Sequence, residues 1–147
     1  MILLYYPIYK NNGMIKRIFK YGLVGISGVV VGLGIITICV EILKINPRHA
    51  WYISTFFAIL NNFLLNNYFT WSDRKAIEAK EFSQKMGLYY LFTAISLALN
   101  YVIYNFLLNK GLHYLVALGT AIAICAIFNF ALNELVVWRK KVNGSLG

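Results

Sequence analysis

Four apolar runs, roughly 20–42, 50–71, 87–108 and 113–138, take up most of this chain and decide what it can fold into. A helix needs about 20 predominantly apolar residues to cross the hydrocarbon of a bilayer, and each run reaches that length. Only 13% of the residues are charged and the mean hydropathy is +0.64, whereas soluble domains average about 25% charged residues. A soluble core of 147 residues cannot hide this much apolar surface. The runs are continuously apolar, not alternating, which argues against a β-barrel. The expected fold class is an all-α integral membrane protein with four transmembrane helices and no residues left over for a soluble domain.

The formal charge of +9 suggests nucleic acid at first sight, but the placement of the bases explains it without one. Lys10, Lys16, Arg17 and Lys20 precede the first span. Arg74, Lys75, Lys80 and Lys85 lie between the second and third, and Arg139, Lys140 and Lys141 follow the fourth. The two opposite loops hold Lys44, Arg48 and Lys110, so the split is eleven against three. This asymmetry places both termini and the central link in the cytoplasm. Trp71 and Trp138 fall at the expected inner interface and Trp51 at the outer one, where indole rings prefer to sit.

Catalytic chemistry finds little material here. Cys39 and Cys125 differ too much in depth to bridge, since a disulfide needs Cα atoms within about 7 Å. His49 and His113 are single residues at loop edges, and no metal-ligand spacing occurs. No nucleophile–base pair or carboxylate dyad is present. The expectation is a protein that is not an enzyme, with no cofactor and no metal. The first apolar run is too long for a signal peptide's core, and no small-residue cleavage site follows it. Met14-Ile15-Lys16-Arg17 would itself make a natural start, which leaves the first residues as an extension.

The chain also repeats itself. Asn62, Phe63, Asn66 and Trp71 recur as Asn129, Phe130, Asn133 and Trp138 at an offset of 67 residues. A weaker match, Lys20-Tyr21-Gly22-Leu23 against Lys85-Met86-Gly87-Leu88, has an offset of 65. The expected organisation is an N-terminal extension over 1–14, a single membrane domain over 15–140 and a tail over 141–147. Within the domain, repeat 1 covers 15–73, a cytoplasmic loop 72–86 and repeat 2 82–140. With two spans each, the tandem helical hairpins share one orientation. Gly25, Gly28 and Gly32 lie close to one face of the first span, which suits close helix packing or contact with a second protomer.

Asparagine inside a membrane helix is costly unless it finds a partner. Asn62 and Asn66 share a helix face, as do Asn129 and Asn133, about 7–14 Å below the cytoplasmic interface at 1.5 Å per residue. Apart from Glu41 at the outer end of the first run, Glu134 is the one carboxylate within a span, and its counterpart in the first repeat is Asn67. By depth its nearest cations are Lys20 and Lys85, with Arg139 closer to water. Two readings follow. The amides zip helices together, or, with Glu134, Lys20 and Lys85, they bind a headgroup: bases on phosphate, amides on hydroxyls, apolar walls on an isoprenoid chain.

The same residues resemble the GtrA-like family over about 15–140. Its members open the first span with a basic segment and aromatic residues shortly before a Val-Gly pair, here Phe19-Lys20-Tyr21-Gly22-Leu23-Val24-Gly25. They close the second with Asn-Phe-x-x-Asn, here Asn62-Phe63-Leu64-Leu65-Asn66, and an aromatic residue at Trp71. Where the family often carries a base, this chain has Asn67, so the resemblance does not carry a direct phosphate contact over to that position. The resemblance implies a multi-pass protein of the bacterial cytoplasmic membrane, associated with cell-surface polysaccharide or teichoic acid glycosylation. The activity it implies is translocation of a polyprenyl-phosphate-linked sugar. The alternative is a non-transporting accessory that recruits a cytoplasmic glycosyltransferase. Membrane lipid and the lipid-linked sugar are the implied partners, with no nucleic acid. Four spans make a thin bundle, so a homo-oligomer is expected to shield a polar path. A small multidrug exporter would need a carboxylate buried in the first span, which has none before Glu41.

Overall fold

The computed structural model describes residues 11–139. Residues 1–10 of the extension, the tail over 141–147, and Lys10, Lys140 and Lys141 with them, lie outside the described residues. The chain divides between Ser72 and Asp73 into two compact units.

In the first unit, α1 (Asn11–Thr37) runs on into a π turn over Ile38–Ile42. It stops at Lys44, which takes the left-handed conformation with φ 54°. Asn46 then starts α2 (Pro47–Leu65): its side chain accepts from the Arg48 N–H, and Pro47 fills the first position, where a missing donor costs nothing. A second π turn, Asn66–Thr70, carries α2 on to Trp71. The two helices are antiparallel. Tyr21 meets Trp71, Gly28 lies against Asn62, and Gly32 against Ala58.

The second unit opens with the end of a 3-10 turn, Ser72–Arg74. Its α3 (Ala79–Asn109) is an uninterrupted helix of 31 residues. The segment expected as a loop up to 86 is therefore helical from Ala79. Gly111, at φ 83°, reverses the chain, and His113 caps α4 (Tyr114–Leu132) by accepting from the Leu115 N–H. A π turn over Asn133–Val137 leads to Trp138.

Among the described residues three helical stretches are long and apolar enough to cross a membrane: Gly13–Ile42, Ala79–Asn109 and Tyr114–Val137. The remaining long helix, from Pro47 to Thr70, holds Asn61, Asn62, Asn66 and Asn67, which lower its mean hydropathy. The large apolar side chains point outward, among them Ile26, Val30, Leu33, Leu97, Val102 and Ile127. The buried apolar residues are fewer and mostly small, among them Val24, Ala50, Ala117, Ala121 and Cys125, with Phe63, Trp71 and Trp138 as the large ones. Lipid supplies no hydrophobic force between helices, so close approach through small residues holds them together. Trp71 and Trp138 are fully buried and pin helix pairs, whereas Trp51 is exposed.

Candidate functional site

The second helix of each unit ends in the same way. Trp71 N–H donates to the Asn66 carbonyl and Trp138 N–H to the Asn133 carbonyl, both at 2.8 Å. Both bonds span five residues, the spacing that defines a π turn and that often marks functional sites. Trp71 sits edge-on to Tyr21 at 5.9 Å and 68°, and Trp138 to Tyr89 at 5.9 Å and 69°. This pairing matches Tyr21 with Tyr89, an offset of 68. Lys20 and Lys85, aligned at 65 from sequence, are accordingly not equivalent.

Each unit also places a cation on the carbonyl end of its second helix, where the orphan acceptors and the negative end of the dipole lie. Lys20 Nζ donates to the Phe69 carbonyl at 3.0 Å and lies 4.5 Å over its ring. Arg74 donates through Nη1 to the Trp138 carbonyl at 2.6 Å and through Nη2 to Glu134 Oε1 at 2.8 Å. Glu134 is thus paired with Arg74, not with Lys20, Lys85 or Arg139 as its depth suggested. The guanidinium and carboxylate side chains are only 9% and 17% exposed. Lys85 holds this turn from the other side, donating to the Arg74 carbonyl at 2.7 Å and pairing with Glu81 at 3.1 Å.

The amides differ between the units. In the first, Thr70 Oγ1 donates to Asn66 Oδ1 at 2.9 Å. Asn61 Nδ2 donates across to Ser27 Oγ at 3.0 Å, and Ser27 Oγ donates to the Val24 carbonyl at 2.8 Å. The Asn62 carboxamide fills the notch left by Gly28, where an added Cβ would overlap it. Gly32 approaches Ala58 in the same seam, at 3.5 Å from its would-be Cβ, while Gly25 faces open space. Gly28 and Gly32 therefore serve the α1–α2 contact.

In the second unit both polar atoms of the Asn133 carboxamide are buried without a hydrogen-bond partner, as is Asn129 Oδ1. Residue 137, which corresponds to Thr70, is a valine and has no hydroxyl to offer. On α3, Thr93 Oγ1 and Ser96 Oγ are likewise buried and unpartnered. The sequence-predicted set thus falls into two groups. Asn62, Asn66 and Lys20 lie in the first unit, and Asn129, Asn133, Glu134 and Lys85 in the second. Sequence reasoning missed Arg74, Thr93 and Ser96.

Two grooves flank these ends. The first unit has an apolar groove of about 430 Å³ lined by Ile15, Phe19, Leu23 and Phe69 with Lys16 and Lys20. The second has a mixed one of about 560 Å³, with Glu81, Lys85 and Arg139 on its lining beside Leu88, Leu135 and Val136. Among the described residues no group of three or more His, Cys, Asp and Glu is placed to hold a metal ion.

The GtrA/DPMS transmembrane-domain profile matches residues 20–138, from the lysine on Phe69 to the second tryptophan. The chain belongs to the GtrA/DPMS transmembrane-domain family. It is also similar to a dolichol-phosphate mannosyltransferase of Pyrococcus furiosus, with 29% identity over 133 residues. That match takes in 90% of this chain and 37% of the relative, so the chain spans little more than a third of the length of the curated relative it matches. The repeated Asn–Trp helix ends of this GtrA/DPMS domain both fall inside the family match.

Proposed function

We propose that this GtrA/DPMS domain moves a polyprenyl-phosphate-linked sugar across a bacterial cytoplasmic membrane during cell-surface polysaccharide or teichoic acid glycosylation. In this reading all four long helices cross the bilayer as two tandem hairpins, with both termini cytoplasmic, and the domain is not itself catalytic. One observation carries it: asparagines buried within apolar helices, one helical turn below a capping cation, recur at the ends of α2 and α4. Buried amides offer donors and acceptors to hydroxyls, and lysines beside an apolar groove suit a phosphate that carries a long chain. Family membership supports the lipid-linked sugar, as does a relative named for a dolichol-phosphate sugar. A homo-oligomer is proposed to shield the path. The test is transbilayer movement of a polyprenyl-phosphoryl hexose in liposomes holding the full chain. Acceleration over empty liposomes is expected, and its absence would overturn the translocase.

A second reading has its own support. The matched part of the Pyrococcus relative is a minor share of a mannosyltransferase, and Ile77 stands 79% exposed between the exposed Lys75 and Glu78. A domain that recruits a cytoplasmic glycosyltransferase would use such a link. Ile77→Ser with Lys75→Ser then abolishes co-purification of the transferase, and under the translocase reading it leaves lipid movement intact.

A further inference from the structure

Apart from Arg74 Nε on the turn before α3, the orphan polar atoms of the second unit lie along one seam. On α3, Tyr89, Thr93, Ser96 and Asn100 follow at steps of four, three and four, which puts them on one helix face. On α4, Cys125, Asn129 and Asn133 follow at steps of four. Tyr89 meets Trp138 at one end of the seam, and Asn100 hydrogen-bonds Cys125 further along. The antiparallel register between those two ties sets Thr93 level with Asn133 and Ser96 level with Asn129. All four carry a buried polar atom with no partner.

The corresponding seam of the first unit is closed. At the offset fixed by the tyrosines, Thr93, Ser96 and Asn100 stand where α1 has Gly25, Gly28 and Gly32. There the missing side chains let Asn62 seat directly on α1, and Asn66 has Thr70. An unmade hydrogen bond on a buried polar group costs about 1–3 kcal/mol, and in lipid no bulk water compensates it. A sequence that needed only a helix contact would be more stable with alanine or valine at these positions. Hydroxyls and amides kept there in the absence of mutual bonds have the chemistry of a receptor for other hydroxyls: neutral, with both donors and acceptors, and too weakly charged to prefer phosphate.

We propose that Thr93, Ser96, Asn129 and Asn133 form a hydroxyl-binding seam between α3 and α4, and that it takes the sugar of the lipid-linked substrate. This rests on the proposed function for its ligand. The α1–α2 pair is then scaffold, and its amides are helix contacts. Because none of the four orphan groups ties α3 to α4, parting the helices at this level breaks none of their hydrogen bonds.

The test uses the full chain in nanodiscs and compares thermal stabilisation by polyprenyl-phosphoryl glucose, galactose and mannose with that by plain polyprenyl phosphate. A sugar-dependent increment is expected in the wild type. Thr93→Val/Ser96→Ala should lose it, weakening the sugar lipid about tenfold or more, while the unliganded protein melts higher. Val137→Thr supplies Asn133 with the partner that Asn66 has, so it should also raise the unliganded Tm and diminish the increment. An increment that survives in both variants overturns the seam. A second arm needs no lipid: Ser96→Cys, in a chain with Cys39 and Cys125 replaced, is exposed to a small water-soluble thiosulfonate. If no hexose lipid gives an increment yet Ser96→Cys reacts, the seam does admit hydroxyls as water and the sugar reading falls. If neither occurs, the seam is dry packing and the proposal is wrong.

Discussion

The α1–α2 and α3–α4 pairs are built to one plan and finished differently. Both end on a π turn, a buried tryptophan against a tyrosine and a cation on the last carbonyls. In the first pair glycines bring α1 close to α2, and Asn61, Ser27, Asn66 and Thr70 bond to one another. In the second, larger polar side chains replace the glycines, valine replaces the threonine, and polar atoms stay unmatched. A common backbone device thus serves a closed contact in one place and an unsatisfied seam in the other. Selection for stability alone would close both.

Substitutions that exchange these finishes probe the difference. The largest effect is expected at the caps. Arg74→Ala removes the ion pair with Glu134 and the bond to the Trp138 carbonyl, at a cost of about 3 kcal/mol, whereas Lys20→Ala, which removes a single bond to a carbonyl near the surface, should cost about 0.5 kcal/mol. Denaturant titration in mixed micelles compares them, and equal losses would make the two caps equivalent. Next, Gly28→Ala forces a methyl into the Asn62 carboxamide and should cost about 2 kcal/mol, while Ser96→Ala at the corresponding place on α3 should stabilise. A smaller pair is the exchange of hydroxyls. Thr70→Val should cost about 1 kcal/mol by orphaning a hydrogen bond of Asn66, and Val137→Thr should gain about as much; Tm shifts of opposite sign check it. The smallest effects are at the turns between α1 and α2 and between α3 and α4, where Lys44 and Gly111 share a positive φ. Lys44→Gly should gain about 0.5 kcal/mol and Gly111→Ala lose about 1 kcal/mol, again read as Tm.

Much of this plan was legible in the chain. Hydropathy placed the helices, because a long apolar run reads as a helix whatever its neighbours are. Asn62–Trp71 and Asn129–Trp138 announced matching helix ends. What each amide touches was not legible, because helix phase does not say which cation reaches a carboxylate. Glu134 pairs with Arg74, which sits on a turn where depth arguments have no hold. The weak match at offset 65 followed residue names, whereas the tyrosine rings give 68. Nor does the interfacial preference of tryptophan announce that Trp71 and Trp138 are buried against tyrosines. One contrast lay in plain view and went unread: Thr70 against Val137, each four residues after a repeated asparagine.

The most direct test of the account is the rate at which a polyprenyl-phosphoryl hexose crosses liposomes holding wild type, Thr70→Val or Val137→Thr. The account predicts acceleration by wild type, retained in the less stable Thr70→Val and lost in the more stable Val137→Thr. No acceleration by wild type, or full activity in Val137→Thr with loss in Thr70→Val, would contradict it.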